Sequence, residues 1–164
     1  YAYGRIGRLS PRATAALLAI AGFVAVILVP QIKYPANPPS IGNPETIGER
    51  TALYFAMIVI SLIAMAAAYN AGRGLLTRLG GWNAALAGAA VYVLVVAAAM
   101  VVLPPVNEVP AEFSAVLLWN FRIAAIGMQI VMWATLGLGF GALSVDALSK
   151  RPHGVPSGPA RRPL

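Results

Sequence analysis

Four apolar segments, separated by short polar or proline-rich stretches, dominate the hydropathy pattern of this chain. They cover residues 13–30, 47–70, 82–103 and 114–143. Each approaches or exceeds the ~20 helical residues that cross ~30 Å of hydrocarbon, so each is predicted to be a transmembrane helix. The pattern predicts an all-α fold, a polytopic membrane helical bundle over residues 13–148. Residues 1–12 form a basic segment before it, and residues 149–164 form a disordered basic tail.

Capping signals and prolines predict where the helices begin and end. Ser10 and Pro11 form an N-cap and first-turn pair for the first helix, which is expected to end near Pro30. Residues 35–44 contain four prolines, so they predict a stiff external loop. Asn43-Pro44-Glu45 then resembles the start of the second helix, which is expected to end at Gly72. In the fourth helix, Pro110 is expected near the first turn.

Basic side chains lie in alternate gaps between the apolar segments. They are Arg5, Arg8 and Arg12, then Arg73 and Arg78, and finally Lys150, Arg151, Arg161 and Arg162. Four of the five acidic residues lie in the other two gaps. Because basic flanks stay on the cytoplasmic side, both termini and the middle loop are predicted to be cytoplasmic.

The two halves of the chain resemble each other. Pro35-Ala36-Asn37 and Pro105-Val106-Asn107 end similar apolar runs, and an arginine, Arg50 or Arg122, enters the helix that follows each. Two hairpins that both run in, out and in would form a parallel repeat. Alternatively, the two halves are similar by chance, because both contain alanine-rich helices and proline-containing loops.

Composition excludes several classes of protein. The chain is 59% hydrophobic and only 10% charged, and its mean hydropathy is +0.76, which a soluble domain of this size does not show. The net charge of +7 fits attraction to anionic lipid rather than to nucleic acid. The absence of cysteine excludes disulfides and thiolate metal sites.

Polar side chains concentrate in the two predicted external loops and the helices that leave them. They are Asn37, Glu45, Glu49, Arg50, Asn107, Glu108, Glu112, Asn120 and Arg122. Arg122 would lie about 18 Å along a helix that begins at Pro110, so it should face the bundle and pair with an external glutamate. Gln129 lies on the same helix face. Arg122 either gates an ion path or ties the two hairpins together as a structural residue.

Candidate chemistry is limited to cation binding. The external carboxylates suit a divalent cation, although Glu45 and Glu49 also suit a helix N-terminus without any metal. His153 is the only histidine, and no second ligand lies near it in the sequence. Gly137 and Gly141 indicate close helix packing rather than nucleotide binding, because no strand precedes them. No catalytic residue is predicted, and nothing supports an enzyme.

The loop residues resemble those of the CbtA family of cobalt transporter subunits. The resemblance lies in the stretches 33–39, 43–55, 103–110 and 117–122, and a weaker one in 4–12. It implies an integral component of a bacterial inner-membrane cobalt uptake system linked to vitamin B12, with a small CbtB-like partner subunit. Cobalt would be the transported substrate rather than a bound cofactor. The resemblance, together with a start at Tyr1, also implies further transmembrane helices before this segment.

Two hypotheses of different classes follow. In the first, the chain is a metal permease subunit: the four loop glutamates attract a cation, Asn37 and Asn107 supply neutral oxygens, and Arg122 is a gating counter-charge. In the second, it is a non-transporting membrane scaffold whose proline-rich loops dock a partner protein. A homo-oligomer is compatible with both, and the metal ligands are left open.

Overall fold

The computed structural model describes residues 3–4, 9–39 and 41–149, and all regular structure within them is helical. The elements are α1 (Pro11–Gly22), a π-helical turn (Phe23–Leu28), α2 (Val29–Lys33), a 3-10 turn (Pro44–Thr46), α3 (Ile47–Val102) and α4 (Ala115–Ser149). The predicted all-α class is confirmed. Arg5, Arg8, Lys150 and the tail with His153 lie outside the described residues, so the predicted disorder of that tail stays a prediction.

The first helix begins where its capping signals predict. The Ser10 hydroxyl accepts a hydrogen bond from Ala13 N at 3.2 Å, and Pro11 occupies the first turn. The helix continues through the π turn and α2 to Lys33, three residues beyond the expected end at Pro30. Pro30 has no amide hydrogen to donate to the preceding turn, and the chain meets this loss by widening that turn rather than by ending the helix.

Helix α3 contains 56 residues and is broken at Gly80. A straight helix of this length would span about 84 Å, far more than ~30 Å of hydrocarbon. Gly80 has φ 73° and ψ 169°, a conformation essentially restricted to glycine. The two halves fold back on each other, as the direct packing of Gly88 against Ala68 shows. The expected end of the second helix at Gly72 is wrong, since helical residues continue to the break.

The halves of α3 form a closely packed interface. Four residues of α3 form a buried cluster with Val29 of α2 and Tyr34, which directly follows α2. The four are Met57, Ala64, Val96 and Ala99. The Ser61 and Tyr92 hydroxyls are hydrogen-bonded at 2.8 Å across the two halves. Small side chains let the two backbones approach closely and increase their van der Waals contact. In a bilayer this contact stabilises helix association, because lipid tails are as apolar as the helix surfaces and the hydrophobic effect does not drive them together.

Helices α1 and α4 lie antiparallel in a second interface. Gly141 contacts Arg12, Gly137 lies against Ala19, and Gly22 lies against the Trp133 ring. The packing role predicted for Gly137 and Gly141 is confirmed, since both are buried.

Helix α4 begins at Ala115 rather than near Pro110. Phe113 N donates to Pro110 O at 3.0 Å, which places Pro110 in a separate turn. The Ser114 hydroxyl then accepts a hydrogen bond from Leu117 N at 3.4 Å and caps the helix. Three helical stretches are long and apolar enough to cross a membrane: Pro11–Lys33, Pro44–Val102 with its break, and Ala115–Ser149.

Candidate functional site

The two proline-rich loops meet at one end of the bundle. The Tyr34 hydroxyl donates to Pro104 O at 2.9 Å, and Lys33 Nζ donates to Met100 O at 2.7 Å. Burial raises the pKa of the Tyr34 phenol, so this donor stays protonated. These contacts join the end of the first helix to the end of α3. Around them lies a set of polar residues, here called the loop cluster: Asn37, Asn43, Thr46, Arg50, Glu108 and Arg122.

Glu108 is the centre of the loop cluster. Its carboxylate accepts hydrogen bonds from the Thr46 hydroxyl and, at 2.8 Å, from Asn43 N. Arg50 Nε lies 3.2 Å from the same carboxylate, as an ion pair without hydrogen-bond alignment. The Thr46 and Asn43 hydrogen bonds, followed by the Arg50 charge, hold the pKa of Glu108 below its usual range. Glu108 is therefore ionised and joins the second loop to the start of α3.

Gly42 makes room for this ion pair. Its φ is 126°, and a Cβ atom there would lie 2.5 Å from the Arg50 guanidinium and 2.9 Å from Glu108 Oε2. A side chain at this position would be strained and would displace Arg50.

Arg122 contacts the first loop. Its Nε donates to Ala36 O at 3.2 Å, and its Nη2 donates to Asn37 Oδ1 at 3.0 Å. The expected pairing of Arg122 with a loop glutamate is wrong, because Glu108 is bound by Arg50. Arg122 lies seven residues after Ala115, about 10 Å along α4 rather than ~18 Å from the helix start.

The remaining predicted residues do not join the loop cluster. Glu45, Glu49, Glu112 and Asn120 are exposed, and the Asn107 carboxamide accepts a hydrogen bond from Val109 N at 3.4 Å within its own turn. Within the described part of the chain, no group of three or more His, Cys, Asp or Glu residues is placed to hold a metal ion.

Gln129 lies apart from the loop cluster, about 10 Å farther along α4 than Arg122. Its Oε1 atom and Trp133 Nε1 are both buried without a hydrogen-bond partner among the described residues. Sequence reasoning identified Gln129 as a face residue but missed the orphaned indole of Trp133. It also missed Thr46 and Gly42. A glycine and an asparagine directly before Pro44 indicate a turn, and donors in such a turn can bind a carboxylate such as that of Glu108.

The fold defines an all-helical membrane protein, with a polar cluster that joins two loops at one end. The chain belongs to the CbtA family, described as "Probable cobalt transporter subunit (CbtA)", whose pattern matches residues 1–145. No curated protein and no solved structure matches the chain. The resemblance found in the loops is confirmed, and the family is that of a transporter subunit.

Proposed function

We propose that this chain is the membrane-spanning subunit of a bacterial inner-membrane transporter for cobalt or a similar divalent cation, linked to vitamin B12 metabolism. The observation that carries the proposal is the family match over residues 1–145, joined to helices apolar enough to span a bilayer. The break at Gly80 divides α3 into two spans. This division and the alternation of basic gaps support our proposal of four transmembrane helices with cytoplasmic termini.

The contacts of the two helix-entry arginines support a parallel repeat. Arg50, in the first half, binds Glu108 in the loop of the second half. Arg122, in the second half, binds Ala36 and Asn37 in the loop of the first half. Each arginine therefore holds the loop of the other half, as expected when two similar hairpins are related by an axis along the membrane normal.

In this proposal the loop cluster is a closed outer gate. The exposed carboxylates of Glu45, Glu49 and Glu112 raise the local concentration of divalent cations at the outer surface. A cation passes only when the Arg50–Glu108 and Arg122–Asn37 contacts separate. The described residues hold no group of three or more His, Cys, Asp or Glu side chains, and in this proposal a partner subunit such as a CbtB-like protein contributes ligands as well.

Cobalt uptake by cells that express the full-length protein tests this role. Neutralising Glu45, Glu49 and Glu112 together to glutamine should reduce uptake at low cobalt and at low ionic strength, because the attraction is screened by salt. The control is uptake at high ionic strength, where salt screens the attraction and the triple variant should transport like the wild type. If the triple variant transports normally at every cobalt concentration, these carboxylates do not attract the substrate.

The alternative function is a non-transporting scaffold that docks a partner through the proline-rich loops. The same cells distinguish the two functions when the partner is captured in parallel. A permease shows reduced uptake at low cobalt in the triple variant and keeps its partner. A scaffold shows no cobalt uptake of its own and loses partner capture when the loops change.

A further inference from the structure

Two buried polar atoms in the α1–α4 interface have no partner within the described residues. Gln129 Oε1 can accept a hydrogen bond, and Trp133 Nε1 can only donate one. The two residues lie four apart on one face of α4, about 6 Å along its axis. A buried polar group without a hydrogen-bond partner costs free energy in an apolar environment. Here a donor and an acceptor both lack a partner.

The register of the interface places this pair opposite the widened turn of the first helix. Trp133 packs on Gly22 and Gly137 on Ala19, so successive α4 residues meet α1 in antiparallel order. One turn beyond Trp133, this order brings Gln129 beside the π-helical turn Phe23–Leu28. Pro30 follows that turn and supplies no amide donor to it.

The other interface shows that such polarity is not required for packing. If the two helix-entry arginines are aligned, Arg122 corresponds to Arg50, and Gln129 and Trp133 correspond to Met57 and Ser61. Met57 and Ser61 are both 0% exposed, and the Ser61 hydroxyl is paired with Tyr92. One interface is therefore closely packed with its hydroxyl satisfied, whereas its counterpart holds two orphaned polar atoms.

The α1–α4 interface also opens into a cavity. Trp133 lines a space of about 680 Å³ that also contacts Thr14 and Ser144. Along α4, Arg122 at the loops, Gln129, Trp133 and this cavity follow one another in order. The lining of this cavity is mostly apolar, so Gln129 and Trp133 are, among the described residues, the unpaired polar groups between the loops and the cavity.

From these observations we infer that Gln129 and Trp133 form a hydrated site within the membrane-spanning part of the α1–α4 interface. A water molecule accepts from Trp133 Nε1 and donates to Gln129 Oε1, and the water is either free or part of the shell of a transported cation. A group that must both accept and donate fits water, which commonly satisfies buried polar pairs. The cation-borne form rests on the proposed function, whereas the free-water form does not.

Fluorine NMR on the full-length protein labelled with fluorotryptophan tests the site. The chain has three tryptophans, and Trp133→Phe assigns the resonance of interest. Transfer from water to heavy water should shift the Trp133 resonance, and Gln129→Met should abolish that shift, since methionine occupies the corresponding position 57. The matched control is Thr135→Val, which removes a hydroxyl on α4 that bonds its own helix at Val131 O and should leave the shift intact.

Addition of cobalt separates the two sources of water. Saturable paramagnetic broadening of the Trp133 resonance by cobalt, absent with magnesium and lost in Gln129→Met, identifies a cation-borne shell. An isotope shift without broadening identifies free water. A wild-type Trp133 resonance that shows no isotope shift, or one that keeps its full shift in Gln129→Met, overturns the inference. Cobalt uptake by the wild-type protein is scored separately, so failure of this site is distinguishable from failure of the proposed function.

Discussion

Substitution of Gly88 by alanine should loosen the contact between the two halves of α3. An added Cβ would lie 2.7 Å from Ala68 O, a backbone atom that no rotamer change can move. Ordinary contacts begin near 3.4 Å, so the helices must separate by about 0.7 Å along that direction. Overpacking of this kind typically costs about 1–3 kcal/mol. The Gly88→Ala protein should unfold at a lower temperature in detergent.

Gly74→Ala is the matched control for this experiment. Gly74 lies in the same helix, and a Cβ atom there meets nothing within 4 Å. Alanine is favoured over glycine in a helix interior by roughly 1 kcal/mol, so this variant should be neutral or slightly more stable. Equal loss of stability in Gly88→Ala and Gly74→Ala would refute close packing at Gly88. A Gly88→Ala protein as stable as the wild type would refute it as well.

Three further predictions concern the loops and the break in α3. Because the pKa of Glu108 is lowered in the folded protein, its contribution to stability is present above the ordinary glutamate pKa and is lost as pH falls through the folded value. The difference in thermal midpoint between wild type and Glu108→Gln should therefore shrink toward acid pH. A difference that stays constant with pH would contradict this prediction. Gly42→Ala should displace Arg50 and lower the midpoint, and its effect should not add to that of Glu108→Gln in the double variant. Gly80→Ala should cost about 1–3 kcal/mol because of its backbone conformation, whereas Gly81→Ala, measured in the same way, should cost much less.

The apolar segments and their caps could be predicted from the sequence because they depend on local chemistry. Ser10 and Pro11 begin the first helix as their side chains require, and Asn43 caps the turn that leads into α3. The helix ends could be predicted less well. Helical hydrogen bonds persist past Gly72 because no residue there forces them to stop, and the break occurs at Gly80, where the backbone takes a positive φ.

The partners within the loop cluster could not be predicted from composition. A set of four loop glutamates and two helix-entry arginines allows many pairings, and the sequence does not rank them. The structure pairs Arg50 with Glu108 and gives Arg122 a carbonyl and a carboxamide. These pairings depend on which loop each helix end approaches, which is a property of the tertiary packing of α1 on α4 and of the two halves of α3.

Cobalt entry into proteoliposomes tests the central claim most directly. The purified full-length protein would be reconstituted with and without its small partner subunit, and cobalt accumulation would be followed by a cobalt-sensitive dye inside the vesicles. The account predicts entry that saturates with cobalt, requires the protein and, at low cobalt, falls in the triple glutamine variant of Glu45, Glu49 and Glu112 that has inserted normally. Vesicles that accumulate no more cobalt than protein-free vesicles, in both combinations, would contradict the transporter function.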